Sequence, residues 1–187
     1  MTESTTIAMA HWRRLDREGT DRCTLAQVHM GWMLSGQAIW RDDGAESTLT
    51  YAVRCGPDWR SLSADITGNC NGRRVNIRIA QGASGWEMNN EPQEVDDDCL
   101  DIDLSFTPAT NLLAIRRLAA RGNGDSSCAA VWLVPELDRL ERLDQSYTRR
   151  DDGYDYTAST GFSARLAVHP TGFVTCYPGY WDGWVDD

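Results

Sequence analysis

From Leu49 to Ile79 the apolar side chains fall on every second residue. Leu49, Tyr51, Val53 and Cys55 alternate with Thr50, Ala52 and Arg54; Leu62, Ala64 and Ile66 follow, and Val75, Ile77 and Ile79 alternate with Asn76 and Arg78. Successive side chains of a strand point to opposite faces, so a period of two sends one face to a core, which no helix does. Turn residues punctuate the runs at Arg41-Asp-Asp-Gly44, at Gly56-Pro57-Asp58 and from Gln81 to Gly85, and Asn71-Gly72 suits the left-handed backbone of a tight hairpin. Ala26, Val28, Met30, Trp32 and Leu34 read as one side of a further strand, with a bend or bulge expected at Ser35-Gly36. Trp86 and Met88 begin a short strand.

The second half is less uniform. Cys128 to Val134 is a continuous apolar run, read as a buried strand that Pro135 stops. Tyr154, Tyr156, Phe162, Ala164, Leu166 and Val168 give strand patterns, His169-Pro-Thr-Gly172 is a turn of hairpin length, and Phe173 to Tyr177 returns. Residues 136–149, charge-rich with Leu137, Leu140 and Leu143, are expected to hold one short helix. Residues 1–8 are polar and expected to be flexible, Gly122-Asn-Gly-Asp reads as a turn, and the aromatic tail from Pro178 to Trp184 is expected to cover an end of the sheet. Short strands with turn signals about every 8–12 residues predict an all-β protein with minor α content, as a sandwich, roll or barrel.

Between these halves lies the densest polar stretch, Asp96 to Leu118, DDDCLDIDLSFTPATNLLAIRRL. Asp101 and Asp103 share a strand face, their Cβ atoms about 7 Å apart by strand rise, near the separation used by glycosidase acid and base pairs. Arg116 and Arg117 follow as candidate partners for these carboxylates; in a strand they point to opposite faces, so at most one enters a pocket. Thr107, Pro108, Leu112, Ile115 and Gly122 fit a capped helix, but they fit a loop and strand as well.

The chain is 187 residues long, enough for one well-filled core, and residues 9–187 are read as a single domain. Its net charge is −10 and all 18 basic residues are arginine. An acidic surface repels phosphate backbones and anionic headgroups, which argues against nucleic-acid partners and membrane-surface binding. No apolar run approaches the roughly 20 residues of a membrane span, and no basic-then-apolar leader precedes the domain, so a cytoplasmic location without membrane insertion is expected. The six cysteines are spread without metal-finger spacing and read as reduced core thiols, with a disulfide or metal site as the alternative.

His11, His29 and His169 form no metal motif, the acidic run lacks the glycine and glutamate of an EF-hand, and there is no nucleophile elbow or phosphate loop. No cofactor is implied. The eight tryptophans suit either a cavity wall that meets sugar faces and acyl chains or a tryptophan-filled core.

Several of these segments, in this order, resemble one family. Asp101-x-Asp-Leu104, Thr107-Pro-x-Thr-Asn111 and Ile115-Arg-Arg-Leu118 form its central signature. Tyr51-x-Val-x-Cys55 with Trp59, Gln145-Ser-Tyr147-Thr-Arg149, Tyr154-Asp-Tyr156 and Gly172-Phe-Val-Thr-Cys-Tyr177-Pro178 also match. The family is the one named putative glycolipid-binding, formerly a domain of unknown function, and the resemblance runs from about Trp12 to Trp181. It implies a large antiparallel sheet curled into a roll or incomplete barrel, similar to bacterial lipoprotein carriers, and it brings no established catalytic residues to carry over. Members commonly have threonine and proline at Leu112 and Ala114 and an acidic residue at His169. A proline at 114 would cost a helix interior about 3 kcal/mol, so the resemblance implies a loop followed by a strand over residues 108–121.

The combined expectation is a non-enzymatic binder of a glycolipid or other amphipathic molecule, held in an apolar cavity with a polar mouth. Asp101, Asp103, Thr107, Asn111 and Arg116 would bond the head group, with Trp32, Tyr147 and Tyr177 lining the site. The alternatives are a hydrolase of carbohydrate or lipid-linked substrates using Asp101 and Asp103, and an interaction module whose Tyr180 and Trp181 meet a partner or a second copy in a homodimer.

Overall fold

A computed structural model describes residues 4–122 and 126–186. Strands β1 (Thr5–Arg14), β2 (Gly19–Val28), β3 (Gly31–Asp42), β4 (Ala45–Cys55), β5 (Ser61–Cys70) and β6 (Arg73–Gly82) form a meander of long hairpins. Two short strands, β7 (Gly85–Met88) and β8 (Glu91–Pro92), carry it to one edge of the sheet. β9 (Asp101–Leu104) forms the other edge. Helix α1 (Asn111–Ala120) then connects β9 to β10 (Ser127–Leu133), which lies parallel to it. β11 (Leu140–Arg150), β12 (Gly153–Ala158), β13 (Ser163–Val168), β14 (Val174–Tyr177) and β15 (Trp181–Val185) step back across the sheet until β15 pairs with β1. All fifteen strands belong to one curled sheet that does not close into a barrel.

The turns obey the chemistry of their residues. Asp43-Gly44 and Asn71-Gly72 have φ of 46° and 82°, and of 49° and 76°, the left-handed pairs that match the twist of two paired strands. Leu49, Tyr51, Val53 and Cys55 are buried together with Ile66 and Ile79, as the period of two requires. All six cysteines are free.

The two edges meet through side chains and loops instead of a ladder. Ser61 N donates to Leu100 O at 2.9 Å, and Ile102 N donates to Ser61 Oγ at 2.9 Å, joining the start of β5 to β9. Trp86 Nε1 donates to Cys99 O at 3.1 Å, and Leu140 N to Gln93 Oε1 at 3.2 Å.

Five sequence expectations change. Of the residues 1–8 expected to be flexible, Thr5, Thr6 and Ala8 pair with β2 across a bulge at Ile7, and residues 1–3 lie outside those described. His29 and Met30 form the β2–β3 turn, with Met30 at φ 70° and 74% exposed, so the proposed strand through residues 26–34 is two strands. β3 runs through Ser35-Gly36 without a register shift. Residues 140–150 are strand β11, not a helix. The corner after Pro108 is helical: Ala114 is only the fourth residue of α1, near its first turn, where the full cost of an interior proline does not apply. The turn expected at Gly122-Asn-Gly-Asp extends into residues outside those described.

The corner and helix fill the concave side of the sheet. Phe106 lies 6.1 Å from the Trp40 ring and 5.8 Å from the Tyr51 ring, and Ala109, Leu112 and Leu113 are fully buried in a core shared with β1–β6. Ala114 and Ile115 pack against Tyr147, Tyr154, Leu166 and Val174 of the other half. The apolar hollow expected inside the roll is therefore occupied by the chain's own side chains. Burying each of the leucine, isoleucine and phenylalanine side chains contributes about 1.5–3 kcal/mol relative to exposure, and each alanine less.

Candidate ligand-binding cleft

Beside this plug the sheet leaves a cleft of about 340 Å³ where β9, the corner and the ends of β12, β14 and β15 converge. Polar groups enter it from three elements. Asp103 enters from β9, Asn111 from the first residue of α1, and Tyr156 from β12, with Leu104 and Pro108 between them. Gln145 lies behind Asp103: its Nε2 donates at 2.9 Å to Asp103 Oδ2 and at 2.9 Å to Tyr156 Oη. Asn111 Nδ2 donates at 2.7 Å to the buried Tyr147 Oη. These bonds fix the floor, and among the described residues Asp103 Oδ1 has no protein donor.

Aromatic side chains make the rim. Phe162 and Tyr177 stack with ring centroids 5.4 Å apart, Tyr180 meets Phe162 edge-on at 5.4 Å, and Trp132 and Trp181 complete the wall. Tyr180 is 41% exposed, while Asn111 and Gln145 are nearly buried. The cleft thus sets polar groups from β9, α1 and β12 beside a wall of aromatic rings. Burial pushes the Asp103 carboxyl up to about 6, the Asp101 charge adds to this, and the Gln145 bond opposes it. At neutral pH the group is a carboxylate acceptor in a partly dry, aromatic setting.

The residues singled out in the sequence divide among three places. Asp103, Thr107, Asn111 and Tyr177 line the cleft, and Tyr147 supports it from behind. Asp101 lies off the cleft, gripped by Arg117, whose Nε donates to Asp101 Oδ1 at 2.9 Å while Nη2 donates to Oδ2 at 2.5 Å. Arg117 also borders a second, more polar groove of about 680 Å³ that runs past Arg121, Arg142 and Ser159. Arg116 and Trp32 come together elsewhere, beside Trp59. Thr107 faces two ways. Its hydroxyl donates to the buried Asp21, and its Oγ1 accepts from Ala109 N at 3.0 Å.

Asp21 also accepts from Tyr51 Oη at 3.0 Å, forming a buried triad that ties β2 and β4 to the corner under the cleft. Sequence reasoning passed over Asp21, although its position two residues before Cys23 and four before Leu25 marks it as inward-facing. Tyr156 and Phe162 were read as strand positions and Gln145 fell in the expected short helix, all without a site role; nothing local distinguishes them, because their partners lie on other strands.

Together the fold and the cleft define a β protein that presents an aromatic-rimmed carboxylate on an open, helix-plugged sheet. Among the described residues there is no group of metal-ligating side chains and no helix long and apolar enough to cross a membrane. The chain belongs to the family described as "Putative glycolipid-binding", whose model matches residues 9–183. Its structure is similar to the crystal structure of a DUF1089 family protein from Pseudomonas aeruginosa, with 26% sequence identity, a TM-score of 0.70, and coverage of 87% of this chain and 91% of that one. No curated protein matches the sequence.

Proposed function

We propose that the protein binds the sugar head of an amphipathic ligand of the glycolipid type in the Asp103 cleft, without transforming it. The observation that carries this reading is the pairing of a fixed carboxylate floor with stacked aromatic rings. A carboxylate and amides accept and donate to sugar hydroxyls, while aromatic faces cover the C–H faces of the ring. A volume of about 340 Å³ is at the small end of small-molecule sites, which run from about 300 to 1,000 Å³. It suits a head group, with the lipid portion leaving along Phe162, Tyr180 and Trp181. The family's description is in keeping with this ligand class.

Binding is favoured over hydrolysis because the second carboxylate is engaged elsewhere. Asp101 is held by both ends of the Arg117 fork and does not line the cleft, so a paired acid and base on one substrate is not assembled there. The charge of −10 supports a neutral head group over an anionic one.

The test is calorimetric titration with octyl glucoside and octyl galactoside, alongside native mass spectrometry of the purified protein with added glycolipid. Saturable binding, weakened at least about tenfold in Asp103→Asn, is expected, the loss of one charge-assisted hydrogen bond. Absence of saturable binding by both glycosides and of any retained glycolipid would overturn the proposal.

A further inference from the structure

Arg116 is part-buried, yet among the described residues no carboxylate lies within ion-pair distance of it and its buried Nε finds no acceptor. Arg22, Arg73, Arg74, Arg121 and Arg149 also lack an ion pair among the described residues, but all five are exposed and solvated by water. Only Nε is closed off, against Gly172, and the rest of the half-buried guanidinium stays accessible; burial lowers the Arg116 pKa with no carboxylate opposing the shift.

The surroundings are built from four separate elements. The guanidinium carbon lies 5.5 Å from the centre of the Trp59 ring, and Trp59 stacks on Trp32 at 4.5 Å with planes 10° apart. Trp59 holds a left-handed backbone at φ 67°, uncommon for a bulky residue and a form of strain that collects at ligand sites. Gly172, at φ 99°, lies against Arg116, where an added Cβ would stand 3.1 Å from Nε. Gly31 brings the β2–β3 turn onto Cys55, where an added Cβ would stand 2.1 Å from the carbonyl oxygen, and so sets Trp32 beside the loop that carries Trp59. The nearby Asp58 is already paired with Arg60.

This group is at the far end of the sheet from the cleft. β13 begins beside Phe162 on the cleft rim and ends near the turn that carries Gly172, roughly 17 Å along by strand rise. We propose that Arg116, with Trp59 and Trp32, forms a second binding site for a singly charged, two-oxygen anion, a carboxylate or phosphodiester, that bears an apolar group. The edge formed by the two Nη groups, open where Nε is covered, matches two oxygens side by side. With one cation present, a single negative charge is balanced and a second would not be. The half-buried Trp32 and the exposed Met30 on the adjoining turn supply the apolar contact.

The experiment titrates the protein with hexanoate, dibutyl phosphate and hexanamide, reading tryptophan fluorescence and the Arg116 Nε–H resonance. Saturable binding of hexanoate or dibutyl phosphate that moves this resonance is expected, and the tighter of the two identifies the carboxylate or phosphodiester source. Hexanamide, with the same chain and no charge, leaves the resonance in place. Arg116→Gln weakens the binding at least about tenfold, Arg116→Lys weakens it less, and Asp103→Asn leaves it unchanged. Equal binding of hexanamide, unaltered binding by a folded Arg116→Gln, or no saturable response to either anion would overturn the proposal. Should Arg116→Gln fail to fold, the comparison of hexanoate with hexanamide on the native protein decides it.

Discussion

Arg117 and Asp101 face each other as a buried fork, each side chain 3% exposed, one from the second turn of α1 and one from the first residue of β9. The pair pins the helix to the edge strand next to the cleft. Burial raises the Asp101 carboxyl and the Arg117 guanidinium opposes it. Removing one partner strands the other charge, so Arg117→Ala is expected to cost about 3–5 kcal/mol in urea unfolding. Arg117→Met combined with Asp101→Leu should recover much of that loss, because no buried charge remains. If the single and double variants are equally destabilised, the fork does not hold the helix.

Gly36 leaves space for the Tyr51 ring. An added Cβ would stand 2.4 Å from the Tyr51 Cζ and Oη, and the ring cannot swing away because its hydroxyl is held by Asp21 and Thr107. Gly36→Ala should destabilise by about 1–3 kcal/mol, the usual cost of overpacking. Thermal melting checks this, and a Gly36→Ala variant as stable as the native protein would remove the crowding against Tyr51.

Burial pushes the Asp21 carboxyl up to about 7, against opposing bonds from Thr107 and Tyr51. In the unfolded chain an aspartate titrates near its ordinary value of about 3.9. Below that value both states are protonated, and the stability linked to Asp21 is fully present. Between there and about 7 only the unfolded chain ionises, so stability falls as pH rises, on the order of a few kcal/mol. Asp21→Asn lacks this slope. Urea midpoints should show the variant gaining on the native protein between about pH 4 and pH 8; a difference independent of pH would remove Asp21 as the source.

Ligand binding in the cleft should follow Asp103. With its carboxyl raised to about 6, affinity for an alkyl glycoside is expected to rise as pH passes upward through that value and to level off near neutrality. Asp103→Asn, close in shape, should give a flat profile at low affinity. Calorimetry at several pH values checks both.

The hairpins were legible because each rests on neighbours in sequence, an alternating run and a turn residue with the right backbone. The same rule failed at Met30. A two-residue turn reverses which parity faces inward, so Leu34 pairs with Leu25 and does not continue the face of Val28. The helix was ambiguous because Leu112, Leu113, Ala114 and Ile115 are all buried, leaving no polar stripe to reveal the period. Asp103, Thr107 and Asn111 were readable as a polar cluster. Tyr177 was grouped with them and lines the same cleft; their joining to Gln145 and Tyr156 was not readable, since it depends on how far the sheet curls. Arg116 and Trp32 were grouped with the same ligand, and α1 and β3 place them beside Trp59 instead.

Read as a ring, the strand order is nearly the order of the chain: from β9 through β15 into β1 and on to β8, every neighbour in the sheet is a neighbour in sequence except across the β15–β1 seam. Two local meanders could thus form independently and zip along that one line. A polypeptide in which a linker joins the end of β15 to the start of β1, opened between β8 and β9, would keep every ladder and turn the seam into an ordinary hairpin. The clasp at Ser61 and Leu100 would then be what keeps the two free margins from drifting apart.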